Sequence, residues 1–304
     1  MSDTPYDQTI RSLVRGAYDI QDLRVRTGNR LMANFRSKLG IEPDEQADDE
    51  NEELLDQLER DYEQITDGVA SITARRSFDY EGIISSYVEL RMVDHFVKLK
   101  KQETRVFRDI ERALSDIDIW TEFLEDVTGV GPAMAGCIVS EFDPYEGTYP
   151  SSFWAYAGLD VVDGEARSAK ESHLKEVEYT DAEGNTKTKK SLGYNPFIKS
   201  KLLGVMGPSF LRTGSWYRKF YDDYRNRKEN DADWEDATDA HLHRASIRYM
   251  VKQFVIDLHV KWRDLEDLPV SQPYHVAKLG KDDHGREERL GVEDPKRLDG
   301  YDAD

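Results

Sequence analysis

The reading of this chain turns on FLEDVTGVGPAMAGCIVSEF, residues 123–142. Its centre, Thr128-Gly129-Val130-Gly131-Pro132 with Ala135, lies between two apolar stretches, one ending at Val127 and one running to Phe142. Two glycines around one aliphatic residue permit a tight turn with positive φ. Pro132 is preset for a first helical turn and lacks the N–H that would go unpaired there. Ala135 is small enough for two helices to cross closely. The pattern predicts a helix-hairpin-helix, whose hairpin N–H groups and following helix N-terminus suit a phosphate. Such contacts read the nucleic-acid backbone rather than its bases. A tight helix–helix turn without a ligand is the competing reading.

Upstream, residues 1–118 read as long helices. Ile10, Leu13, Val14, Tyr18, Ile20 and Leu23 recur at helical spacing, and IEPDEQADDENEE then interrupts with acid and proline, as a linker or the acidic start of a helix. Leu55, Leu58, Tyr62, Ile65, Val69 and Ile72 alternate spacings of three and four, an a/d seam. After Arg75–Arg76 a second helical stretch runs from Ile83 to Trp120 without a breaker. An intramolecular helical bundle and a dimeric coiled coil both fit, so a homo-oligomer through this region is one expectation.

Downstream, residues 119–268 read as a second, mostly helical domain. KEVEYTDAEGNTKTKK alternates around Asp-Ala-Glu-Gly-Asn, as a hairpin or a flexible basic loop. Asn195-Pro196 opens a helix. Tyr217 to Arg227 forms a basic, aromatic helix. Asp239 to Leu265 forms a long helix with one apolar face. Residues 269–304 read as a charged tail, solvated from Lys281 on because no apolar period remains. The expected class is mainly α with one small β-hairpin.

Composition bounds the function. The 304 residues carry 61 acidic and 42 basic side chains, a net charge of −19. That sum opposes phosphate binding unless basic residues are segregated, and it also suits a halophilic acidic surface. No apolar run reaches the ~18 residues of a membrane span. The N-terminus lacks the order of a secretion signal. The single Cys137 excludes an internal disulfide and a thiolate zinc cluster, and a reducing cytoplasm is the simplest compartment.

The basic residues are indeed segregated. Asn185 to Lys201 contains Lys187, Lys189, Lys190, Lys199 and Lys201 and no acid. Arg218, Arg225 and their basic neighbours follow, interleaved with Trp216, Tyr217, Phe220, Tyr221 and Tyr224. Arg244, Arg248 and Lys252 recur every four residues on the last helix. Cations beside aromatics suit a phosphate chain and stacked bases. The candidate nucleic-acid-binding set is Gly129, Val130, Gly131, Pro132, Lys187, Lys189, Lys190, Lys199, Arg218, Arg225, Arg248 and Lys252. For any one of these cations, a solvated helix face is the alternative. His241 and His243, two apart, point to different sides and make a poor metal pair. No Walker, HExxH or GxSxG motif occurs, and no metal set is identified. Ser168, beside Arg167 and Lys170, is the candidate nucleophile, against a solvated loop serine.

The order of these motifs carries a resemblance. GVGPxxA, AYAGLDVVDG, Gly193-Tyr194-Asn195-Pro196, WYRKFYDDYRNRK and HLHRASIRYMVKQFVIDL together resemble the C-terminal domain of insertion-element transposases of the IS-one-ten and IS-one-sixteen type, relatives of the Piv invertase. The resemblance spans about residues 120–268. It implies DNA as partner, with a structured guide RNA or a separate nuclease subunit, and a function in DNA transposition or site-specific recombination. Family enzymes begin with a RuvC-like nuclease carrying four metal-binding acids. Residues 1–118 show no βββαβ pattern, so a divalent metal such as Mg enters only with a nuclease site here or on a partner. The family serine follows "GL" in a Ser-Gly context; Ser168 lies near that place without the glycine. A non-catalytic helical scaffold or accessory protein is the alternative function.

Overall fold

A computed structural model describes residues 5–67, 82–271 and 285–292. It is mainly helical, with two small two-stranded antiparallel sheets among the described residues. The chain divides into two compact units, Ser12–Ile110 and Glu111 onward together with the start of the first helix. The division falls slightly ahead of the boundary at residue 118 that sequence suggests.

The Ser12–Ile110 unit is built from helices α1 (Pro5–Lys38), α2 (Asp49–Ile65) and α3 (Tyr87–Leu114). Leu31 and Phe35 of α1, Leu55 and Tyr62 of α2, and Leu90, Val93, Phe96 and Val97 of α3 form one core. Leu58 and Ile65 pack against it, partly buried. The chain itself therefore covers the α2 seam, as the bundle reading expects; Val69 and Ile72 lie outside the described residues. Asp48 caps α2, accepting the N–H of Asn51, and Asp49, Glu50 and Glu52 fill its first turn. The start of α3 is fixed by a capping box. Ser86 Oγ accepts from the Glu89 N–H, while Glu89 accepts the Ser86 N–H.

The helical run expected as far as Trp120 breaks at Leu114. The Ser115 hydroxyl turns back to the Arg112 carbonyl and the Ile117 N–H to that of Leu114. A one-turn helix α4 (Asp118–Thr121) and a 3-10 turn (Leu124–Asp126) follow, so no single helix ends at Val127. Then come α5 (Pro132–Glu141), α6 (Pro150–Tyr156), the pair β1 (Val161–Val162) and β2 (Glu165–Ala166), and the hairpin β3 (Leu174–Thr180) and β4 (Thr186–Leu192). Helix α7 (Pro196–Lys201) runs through a π turn (Leu202–Met206) into α8 (Gly207–Thr213). Pro208 lacks an N–H, which favours the widened turn before it.

Helix α9 (Arg218–Glu229) and the long α10 (Asp239–Leu265) complete this part, with α4, α6, α8 and α9 packed around α10. Thr238 caps α10, accepting the His241 N–H. The sequence suggests one apolar face on α10, but residues 253–260 are buried on all sides. Polar members of that run are anchored by hydrogen bonds. His259 donates from Nε2 to the Gly147 carbonyl at 2.7 Å, and Asp257 Oδ2 accepts the Tyr217 hydroxyl at 2.6 Å.

The expected solvated tail is corrected at one point. Residues 286–290 form helix α11 (Arg286–Leu290), and Arg286 is 1% exposed. Its Nε meets Asp257 Oδ1 at 2.6 Å, and Arg289 meets Oδ2 at 2.6 Å. The charge-rich sequence hides this docking because its anchor is an ion pair rather than an apolar stripe. No helix among the described residues is long and apolar enough to cross a membrane.

Candidate nucleic-acid interface

Ala157 caps the C-terminus of helix α6, and Gly158 follows with φ of 62°. A methyl group at Gly158 would stand 2.7 Å from the Tyr194 ring, so the left-handed turn and the ring packing both require glycine. Asp163 and Gly164, with φ of 50° and 79°, make the two-residue turn that joins β1 to β2. That pairing sets Asp160 against Arg167. The guanidinium holds both carboxylate oxygens, Nε to Oδ1 at 2.7 Å and Nη2 to Oδ2 at 2.6 Å.

Two further cations close on the same loop. Lys199 donates to the Arg167 carbonyl at 2.7 Å and lies over the Tyr194 ring at 4.2 Å. Arg248 donates to the Gly158 carbonyl at 2.9 Å and to the Arg167 carbonyl at 3.2 Å. Residue 167 immediately precedes Ser168, so both side chains position the serine. The Ser168 N–H donates to Nδ1 of buried His173 at 3.0 Å. That nitrogen is therefore the unprotonated one, and Ser168 Oγ lies 3.2 Å from it.

The electrostatics follow from crowding. Burial above all, with Arg248 and Arg167 acting the same way and Asp160 opposing, pushes the Lys199 ammonium down to about 8. Lys252, over the Trp154 ring at 4.0 Å, is likewise pushed down to about 8 by burial and by Arg248. Four cations thus gather around one carboxylate in a chain of net charge −19. An arriving anion relieves that repulsion.

The remaining candidates lie elsewhere. Arg218 pairs with Asp222 at 3.5 Å, and Arg225 with Glu229 at 2.8 Å and with Asp239. Lys187 pairs with Asp181 at 2.8 Å and Lys190 with Glu171, while Lys189 lies over the Tyr179 ring at 5.1 Å. Gly129 and Gly131 flank buried Val130, and Pro132 opens α5. Exposed Glu122, Glu125 and Asp126 precede that turn, which weakens its attraction for phosphate. His243 meets the Tyr221 hydroxyl at 2.7 Å, and Cys137 is buried.

Sequence reading missed Asp160, His173 and Tyr194. Asp163-Gly164 between two β-prone dipeptides is a hairpin signal that would have paired 160 with 167. Nothing in the sequence marks His173. The site does not fit a divalent metal, since Asp160 is committed to Arg167 and among the described residues no group of three His, Cys, Asp or Glu could hold one. No protein-family model, curated protein or solved structure matches this chain.

Proposed function

We propose that this chain is a transposase-related DNA-binding protein of a mobile element, acting in DNA transposition or site-specific recombination with a nuclease, and any guide RNA, supplied from outside it. The observation that carries this reading is the convergence of Arg167, Lys199 and Arg248 on the Gly158–Ser168 loop, in the region where the transposase resemblance places its serine. The like-charged cluster suits a phosphodiester. The Thr128–Pro132 turn, read as the hairpin of a helix-hairpin-helix, adds backbone N–H groups. A cytoplasmic location completes the proposal.

Binding of a labelled 30-base-pair duplex, followed by fluorescence anisotropy, tests it. Arg167→Gln with Lys199→Gln should weaken binding more than about tenfold, the loss of two phosphate contacts. Unchanged binding rejects the reading. Binding should also weaken as pH rises through 8, because Lys199 and Lys252 then enter the complex neutral and must regain protons. The double Lys199→Arg, Lys252→Arg variant should flatten that profile.

The contact of Ser168 with His173 favours a second reading, strand cleavage by this chain. Attack on phosphorus by Oγ would form a serine–phosphate ester, pass the hydroxyl proton to Nδ1 and break the bond to the deoxyribose oxygen of the cut strand, which takes up a proton and leaves as a hydroxyl. A covalent protein–DNA adduct that disappears in Ser168→Ala supports it; no adduct with the element's own ends removes it.

A further inference from the structure

The hairpin β3–β4 stands apart from the core. From Lys175 to Lys190 no residue is buried, and Val177 and Tyr179 are 42% and 39% exposed. Its register is regular over seven pairs, from Leu174 opposite Leu192 to Thr180 opposite Thr186. Residues directly opposite share a face, and faces alternate along each strand. One face therefore carries Lys175, Val177 and Tyr179 opposite Ser191, Lys189 and Lys187. The other carries Glu176, Glu178 and Lys190 with three threonines, between Leu174 and Leu192. All the strand acids fall on one side, and three of the four strand lysines on the other.

The lysine face is continuous with the Ser168 loop. Lys175 Cε and Arg167 Nη1 both flank Gly193, 2.9 and 3.1 Å from where its Cβ would stand. Lys187 is engaged by Asp181 of the turn, but among the described residues neither Lys175 nor Lys189 has a carboxylate partner. The ribbon is about 20 Å long at ~3.4 Å per residue. A B-DNA major groove, ~12 Å wide, admits a two-stranded ribbon.

We infer that the β3–β4 ribbon enters the major groove of duplex DNA with its Lys175–Val177–Tyr179–Lys189 face, while the Glu176–Glu178 face turns away. This rests on the DNA-binding reading above and deepens it. Lys175 and Lys189 meet the phosphates lining the groove. Val177 and Tyr179 supply apolar contact to base edges, thymine methyls among them. The acids behind them oppose the reversed orientation, so charge selects which face enters.

Anisotropy with the same duplex, over a salt series, tests the inference on the full chain. Val177→Ala with Tyr179→Ala removes no charge and should weaken binding about tenfold, the size of one good base-edge contact, with the salt slope unchanged. Lys175→Ala with Lys189→Ala should reduce the slope of log affinity against log salt by about 2. Glu176→Ala with Thr188→Ala, on the other face, should bind as well as wild type or better. A duplex whose major groove is filled by glucosylated hydroxymethylcytosine should bind wild type about tenfold more weakly, and the Val177/Tyr179 variant with no added loss. If wild type binds, and the Arg167/Lys199 variant does not, but both lysine-face variants bind like wild type, the ribbon inference is overturned alone. If wild type does not bind the plain duplex, the DNA-binding reading falls and this inference with it.

Discussion

Gly129 and Gly131 look alike in the sequence, two small residues around Val130, yet their surroundings differ. Gly129 has φ of 99°, and a methyl group there would sit 2.8 Å from Cδ1 of Phe210 in α8. Gly131 caps α5 at φ of −98°, with nothing within 4 Å of the same position. Gly129→Ala should therefore cost about 2 kcal/mol, from left-handed backbone and a clash, whereas Gly131→Ala should cost about 0.5 kcal/mol or less, the loss of a weakly preferred cap residue. Urea unfolding of the two variants measures the contrast. Equal losses would mean that the turn depends on both glycines, as the sequence pattern alone suggests.

At the level of elements, the caps and turns were partly legible. Asn195-Pro196 announces α7, and its side chain does accept the Phe197 and Ile198 N–H groups. Ser86-x-x-Glu89 was as plain a signal for α3, but the apolar run before it masked it. Helix α11 had no readable signal. Its five residues are charged or apolar singly, and only the buried Asp257 explains why Arg286 leaves water. Removing one partner of such a pair strands the other. Arg286→Met should thus lower stability by about 3 kcal/mol, and adding Asp257→Asn should recover part of that loss. Thermal unfolding of the single and double variants checks this, and strict additivity would show that the two residues do not act as a pair.

For the whole molecule, acid acts on the two units at different pH. His259 lies in the core beside Phe153, and burial pushes its imidazole down to about 4, with Arg263 pushing the same way against the Gly147 carbonyl. The unfolded chain takes up that proton near pH 6.5. The stability tied to neutral His259 is therefore complete above 6.5 and is lost as pH falls toward 4, in all about 3 kcal/mol. In the Ser12–Ile110 unit, burial alone would raise the Glu89 carboxyl. Hydrogen bonds from Lys38, Asn34 and the Ser85 N–H bring it instead down to about 2. Its contribution is complete above 4.5 and is lost only as pH falls toward 2. Near pH 5, hydrogen exchange should report loosening around α10 before the Ser12–Ile110 core. Loosening in the reverse order would contradict this assignment.

The sequence by itself determined the helical class, the boundaries of α10, the apolar seam of α2 and the segregation of basic charge, and it offered the ribbon as one of two readings of its segment. Each is encoded locally, by periodicity, by capping and turn residues, or by composition within a short window. Only the tertiary structure decided which cations share a site. Arg167, Lys199 and Arg248 lie far apart in the chain and meet because β1–β2 folds the loop back and α10 passes beneath it. Arg218 and Arg225 read identically in the sequence but are held by carboxylates of α9 and α10. The face of the ribbon needs register, and the docking of α11 needs a buried carboxylate, both of which depend on residues distant in the chain. Pairing between distant residues leaves no period in the sequence, and for that reason the fold class was readable there while the site was not.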